Sequence, residues 1–332
     1  MDPIQNNFSS HTKVKASQVV INCYDFMDRV TPECGIYDLT DGVYNDDPNT
    51  PYEEAQENQH NWLLDQAECK EGSKILEIGC GYGTVLQAAK KRGAEAIGIT
   101  ISRPQVEYCR AKGLDVCLLD YRNLPEEWNG YFDAIIANGC IEHFVQVSNV
   151  INQPGADTII YKKLFELCGR VITPNSSSKK FVTTTIHETF TYENDPRKDP
   201  EFFSKIKNRL FSKWSARGIK STLQGKAFGG YYPSLGQLAY CAEPFFKLEK
   251  EVDGTYDYYL TSVEWFKRAR KIMRKFNKKS LKISLNIISF CLQHPIQGPI
   301  LLISLEVLRA WERQFMGPNP PVKLLRQVWV AK

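Results

Sequence analysis

Between Lys74 and Thr84 the chain reads Lys-Ile-Leu-Glu-Ile-Gly-Cys-Gly-Tyr-Gly-Thr. A short apolar run containing one acid (Ile75, Leu76, Glu77, Ile78) stops at alternating glycines, Gly79, Gly81 and Gly83. An amphipathic run follows, from Val85 to Lys91. That order predicts a buried strand, a tight turn and a helix. Glycine lets the backbone turn sharply and lets a ligand reach main-chain N–H groups. A strand–turn–helix with no ligand has no need of glycines so closely spaced, so the turn reads as a cofactor cradle. A dinucleotide cradle has Gly-x-Gly-x-x-Gly and an acid roughly 20 residues later for the ribose. Here Thr84 takes the place of the third glycine, and the next strand, Ala94 to Ile99, ends in Thr100-Ile101-Ser102 without an acid. Both departures count against NAD.

The Glu-x-Gly-x-Gly-x-Gly pattern instead resembles the first motif of class I S-adenosylmethionine (SAM) methyltransferases. Composition agrees with a globular enzyme: 332 residues, 42% hydrophobic and 24% charged. A net charge of +4 is too small to imply nucleic acid. The 10 cysteines include no Cys-x-x-Cys pair, so no metal site is expected, and they read as reduced thiols of a cytoplasmic protein. Met1 to Gln18 is polar, with no signal-peptide core, and Met1 to about Val20 reads as a loose arm. Residues 283 to 305 hold no Asp, Glu, Lys or Arg, which raises the question of a membrane span. The cluster Gln293, His294, Pro295, Gln297, Gly298 and Pro299 splits that stretch, which predicts two buried helices joined by a turn.

Helical spacing is visible over Val19–Val30, Glu53–Ala67 and Pro104–Ala111. Strands are predicted at Ile75–Ile78, Ala96–Ile99, Asp115–Leu119, Phe132–Ala137, Phe181–Ile186, Phe246–Val252 and Leu325–Val330. Short strands alternating with helices give an α/β fold: a Rossmann-like, mostly parallel seven-stranded sheet with helices on both faces and a helical lid. The expected division is an N-terminal helical lid segment (1–70), a SAM-binding core (71–190), and a remainder (191–332) holding a lid insertion, acceptor-site helices and the last strands. Thr191–Gly230 is long, charged and aromatic, and reads as the insertion. In such sheets ligands sit beyond the carboxyl ends of the strands, which here carry Gly79–Gly83, Thr100–Gln105, Asp120–Arg122 and Asn138–His143.

Several stretches taken in order resemble the cyclopropane-fatty-acid synthase family, which includes the mycolic acid cyclopropane synthases. They are Glu54-Ala-Gln56, Gly98-Ile-Thr-Ile-Ser-Arg-Pro-Gln105, Asn138-Gly-Cys-Ile-Glu-His-Phe144, Gly229-Gly-Tyr-Tyr-Pro-Ser234, Tyr258 to Trp265 and Arg326-Gln-Val-Trp-Val330. The resemblance implies a SAM-dependent methyltransferase. Glu77, Gly79, Cys80, Gly81, Gly83 and Asn138 would surround the cofactor, with the glycines against its methionine part. Thr100, Ile101 and Gln105 would hold ribose and adenine, and Tyr121 would stack on the adenine. From the residues alone, Gln105 could be a solvated helix position, and for Tyr121 ordinary packing and stacking on the adenine read equally. The resemblance makes Glu142 the central acceptor-site residue, with His143 and Tyr258 beside it. In the family this glutamate helps hold a bicarbonate ion, a candidate cofactor here, which takes the proton left after methyl transfer to an alkene. Without the resemblance, Glu142-His143 reads as a helix N-terminal acid and a surface histidine.

Two positions depart from the family. Asp41 aligns with its cysteine, with Cys34 nearby but out of register, and Thr184 aligns with its histidine, with His187 three residues on. Asp41 could face the sulfonium and act as a base, or it could be a turn residue in Asp-Gly. The expected reaction is methyl transfer to a lipid-like or hydrophobic acceptor, with an unsaturated acyl chain as the leading candidate. The alternatives are N-, O- or C-methylation of a small metabolite, and a non-catalytic SAM- or membrane-binding protein. Lys267–Lys282 is rich in Lys and Arg and precedes apolar runs, so peripheral contact with an anionic membrane is an expected partner interaction and nucleic acid is not.

Overall fold

The computed structural model describes residues 17–199, 202, 228–307 and 309–332. Most of the expected arm and insertion, 1–16, 200, 201 and 203–227, lies outside the described residues. Among the described residues eight strands make one sheet: β1 Lys74–Ile78, β2 Glu95–Thr100, β3 Asp115–Leu118, β4 Ala134–Asn138, β5 Lys180–Thr191, β6 Ser234–Leu235, β7 Phe246–Asp253 and β8 Val322–Ala331. The order along the sheet is β3-β2-β1-β4-β5-β8-β7, and β6 pairs with the far end of β5. β1 to β5 are parallel neighbours, and β8 runs antiparallel between β5 and β7. The expected seven strands are all present. The eighth, β6, has two residues, too short to carry an alternation signal.

Strand residues alternate between the two faces of the sheet. Leu76, Ile135, Phe181 and Trp329 point to one core and Ile75, Ile136, Val182 and Val328 to the other. Both cores are covered, so β1 and β4 read as nearly continuous apolar runs. Helix α6 (Ala156–Val171) covers the first face with Tyr161, Leu164 and Phe165. Helices α2 (Tyr52–Gln66) and α3 (Thr84–Lys91) cover the second with Leu63, Leu64, Val85 and Ala89. Helix α4 (Arg103–Ala111) starts where Ser102 accepts the N–H of Gln105, with Pro104 in its first turn. The short α5 (Val147–Asn152) precedes α6.

A further helical layer lies over the carboxyl ends of the strands. It contains α1 (Gln18–Val30) and, after the short α7 (Gln237–Ala242), α8 (Thr255–Met273), α9 (Lys278–Gln293), α10 (Gln297–Leu302) and α11 (Ala310–Arg313). Cys23, Phe26 and Met27 of α1 pack with Phe266, Phe290 and Leu301. The two helices expected from 283–305 are present, but the expectation that both are buried needs correction. Leu285, Ile288 and Leu292 of α9 are 57%, 56% and 78% exposed. No described helix is long and apolar enough to cross a membrane.

Candidate active site

The strand order reverses between β1 and β4, so the chain leaves these neighbours in opposite directions and opens a crevice at their ends. The glycine turn after β1 and the Asn138–Phe144 turn after β4 form its two sides. Gly79 and Gly81 have φ of +74° and +52°, a region that side chains with a Cβ adopt reluctantly. A Cβ on Gly79 would lie 2.8 Å from that of Cys140, so this position is closed to alanine by contact as well. The N–H groups of Gly79 and Cys80 donate to the Ile99 carbonyl at 2.8 and 3.1 Å, which pins the turn to β2.

A cavity of about 520 Å³ extends from this crevice under the helical layer. Glu77, Gly79, Cys80, Gly81, Gln105, Asn138, Glu142, His143 and Tyr258 all border it. Thr100, Ile101, Gly83 and Tyr121 do not. Thr100 donates its hydroxyl to Gln105 at 2.7 Å and so orients that amide. Tyr121 is stacked on Phe144 at 4.0 Å between ring centroids, which favours its packing role over adenine stacking. Glu77 is buried, and its Oε2 has no hydrogen-bond partner among the described residues. Burial holds this carboxyl well above the usual range. A buried acid with a free oxygen, beside glycines of which Gly81 has open space around its missing Cβ, fits a polar, cationic ligand such as SAM.

An acid from α1 braces the end of β2 without bordering the cavity. Asp28 of α1 accepts from Ser102 at 2.7 Å, Tyr82 at 2.9 Å and Gln105 Nε2 at 3.0 Å. Burial raises its pKa, and these hydrogen bonds oppose the rise. Asp38 similarly accepts from Thr40, Thr84 and His60, at 2.6, 3.0 and 2.9 Å, and borders the cavity. Neither residue stands out in the sequence: Asp28 lies in an amphipathic helix and Asp38 in a turn-rich stretch.

Glu142 sits in a single helical turn, Ile141–His143, directly after β4. It is 3% exposed, and its Oε2 is unpartnered. Burial pushes its pKa up to about 8, offset partly by backbone hydrogen bonds at Glu142 and Ile186. Burial, and after it the charge of an ionised Glu142, raises the pKa values of Tyr24, Tyr232 and Tyr258. Tyr258 donates to the Leu39 carbonyl at 3.2 Å. His143 is tied to the Gly229 carbonyl through Nδ1 at 3.2 Å and packs edge-on against Tyr24, and burial lowers its pKa, so it is neutral.

The expectation that Asp41 faces the sulfonium as a base is corrected. Asp41 is fully buried and does not border the cavity. Arg326 holds its Oδ2 through Nε at 2.8 Å and through Nη2, and Gln59 holds its Oδ1 at 3.0 Å. Arg326 also reaches Asp257 at 2.6 Å and the Gly42 carbonyl at 2.9 Å. Thr184 donates to Asn138 at 2.6 Å, and Asn138 bonds Thr40 and Gln59 at 3.2 Å each. His187 lies outside the cavity, its pKa lowered to about 4 by burial. Cys34 packs in an apolar cluster with Ile36 and Tyr52. Of the residues considered for bicarbonate, Glu142 alone offers a free oxygen to the cavity, so the set does not fit that ion. Among the described residues there is no metal-binding cluster.

Comparison with known proteins agrees with this geometry. Residues 39–281 match the family model for mycolic acid cyclopropane synthetase. A probable fatty acid methyltransferase of Pseudomonas putida is 33% identical over 110 residues, 30% of this chain and 27% of the relative. The cyclopropane-fatty-acyl-phospholipid synthase of Escherichia coli K12 is 27% identical over 221 residues, 65% of this chain and 47% of the relative. The chain thus spans about half or less of the length of both relatives. The crystal structure of mycolic acid cyclopropane synthase CmaA1 complexed with SAH and CTAB superposes with a TM-score of 0.62 at 15% identity, covering 100% of this chain and 99% of that one. Sequence, fold and cavity therefore converge, and this chain belongs to the mycolic acid cyclopropane synthetase family of SAM-dependent methyltransferases.

Proposed function

We propose that the chain transfers the methyl group of SAM to a hydrophobic, lipid-like acceptor, with an unsaturated acyl chain as the leading candidate. The observation that carries this reading is the cavity. It joins the glycine turn and Glu77 to a wall of Met27, Phe228, Tyr232, Tyr258 and Trp311, and Glu142, with an oxygen left unpartnered by the described residues, also lines it. SAM, when bound, supplies a methyl group on a positively charged sulphur. Glu77, Gly79, Gly81 and Gln105 are the residues we assign to hold it. Aromatic faces attract positive charge that develops on an acceptor. In its ionised form the Glu142 carboxylate can take a proton from the acceptor. No step is assigned to bicarbonate. Asp41 acts at one remove: its ion pair with Arg326 anchors the segment that carries Asp38, Leu39 and Thr40 to the cavity wall.

A lipid acceptor implies contact with a bilayer surface, and the basic stretch Lys267–Lys282 is our candidate for a peripheral, cytoplasmic-side contact. Methylation of a small hydroxyl or amine compound is the second reading, supported by the same free carboxyl oxygen. Incubation with methyl-labelled SAM and a phospholipid extract separates the two. Label in the organic phase is the expected result, and label confined to a water-soluble product would contradict the lipid reading. Glu142→Gln should keep SAH binding while turnover falls by about a hundredfold. Unchanged turnover would remove Glu142 from the chemistry.

A further inference from the structure

Helix α9 turns one face inward and leaves another uncovered among the described residues. Ile283 and Phe290 are buried. Leu281, Leu285, Ile288 and Leu292 are 50%, 57%, 56% and 78% exposed. Their spacing alternates between four and three residues, which places all of them on one stripe of the helix. Two more exposed apolar residues flank the helix: Phe276, before it, is 99% exposed, and Ile296, after it, is 74% exposed. Single exposed aliphatics are ordinary, but an aligned row of this length marks an interaction surface.

The charge around the row selects its partner. From Trp265 to Leu305 the sequence holds no Asp or Glu. Lys271, Arg274, Lys275, Lys278 and Lys279 are exposed at the amino end of the row. Two copies of this face would bring like charges together. An interfacial helix instead sinks its aliphatic row to the headgroup–acyl boundary while lysines reach the phosphates. On its inner side, Phe290 packs in one cluster with Cys23 and Met27, and both of these border the cavity. The inner face of α9 therefore packs on the α1 side chains that line the cavity.

We propose that the outer face of α9, with Phe276 and Ile296, docks the protein on an anionic bilayer and sets the cavity next to the lipid. This purpose rests on the lipid-acceptor reading, but the docking itself does not. The test is flotation of the full chain with vesicles of phosphatidylglycerol and phosphatidylcholine, compared with phosphatidylcholine alone. Flotation with the anionic vesicles is expected, with partitioning roughly tenfold weaker on the neutral ones and in high salt. The Leu285→Asp/Ile288→Asp variant should partition at least about tenfold less while binding SAH as the parent does. Failure of the parent to float, or flotation of this variant equal to the parent's, overturns the proposal. So does a dimer seen by light scattering that the variant abolishes in the absence of flotation, since that assigns the face to a second copy. Persistent flotation with methyl label confined to the aqueous phase would sink the acceptor reading and leave the docking surface standing.

Discussion

In the proposed reaction the carboxyl of Glu142 carries the proton chemistry of the site. Its pKa of about 8 means that it is protonated at neutral pH and becomes a base as pH rises. If it takes the acceptor's proton, kcat should climb through about pH 8, and Glu142→Gln should flatten that profile. The same shift has a consequence for stability with a definite sign. The folded pKa lies above the unfolded one, so across the interval between them the folded state binds the extra proton. Stability should therefore fall as pH rises from about 4.5 to about 8, by an amount on the order of a few kcal/mol, and Glu142→Gln should remove that slope. Thermal melts of both proteins at pH 5, 6.5 and 8 check this, and parallel melting trends would contradict it. Asp28 makes a different prediction. Asp28→Ala strands the donors of Tyr82, Ser102 and Gln105 and should lower stability by about 1–3 kcal/mol in urea titration. Little of this was legible beforehand. Glu142 stood out through its motif, but Asp28 is one acid among several in a helix, and its partners come from sequence positions far away.

At the scale of elements, the strand–turn–helix at Lys74–Lys91 was legible because each local signal agreed: apolar run, glycines, amphipathic helix. Strand five was placed correctly but read too short. Its polar half, His187 to Thr191, is held by pairing with β8 and β6, which no local pattern reports. The outer face of α9 was misread for a related reason. Sequence shows that a stretch is apolar, and tertiary packing decides which sides find partners. The link between β8 and the 38–44 segment was invisible as well. Arg326 neutralises both Asp41 and Asp257, so Arg326→Met leaves two acids short of their counter-charge. A loss of about 3–5 kcal/mol is expected, reduced when Asp41→Asn is added, because the combination removes one of the stranded charges. Chemical denaturation of the single and double variants measures this, and equal losses in both would argue against the anchoring role.

For the whole molecule, the sheet reversal between β1 and β4 and the helical layer above it create a cavity lined by both the glycine turn and aromatic side chains. The fold class was legible from alternating periodicities, because a parallel sheet covered on both faces leaves a strong pattern in every strand. The cavity was legible only as a set of strand ends, since its walls come from Met27, Tyr232 and Trp311, residues far apart in the chain. The account depends above all on the glycine turn receiving SAM. Isothermal titration of the purified chain with SAH tests that directly. Saturable one-to-one binding that Gly79→Ala abolishes, with the variant still folded by circular dichroism, is the predicted result. Absence of heat at any SAH concentration, or binding unchanged in the variant, would contradict it.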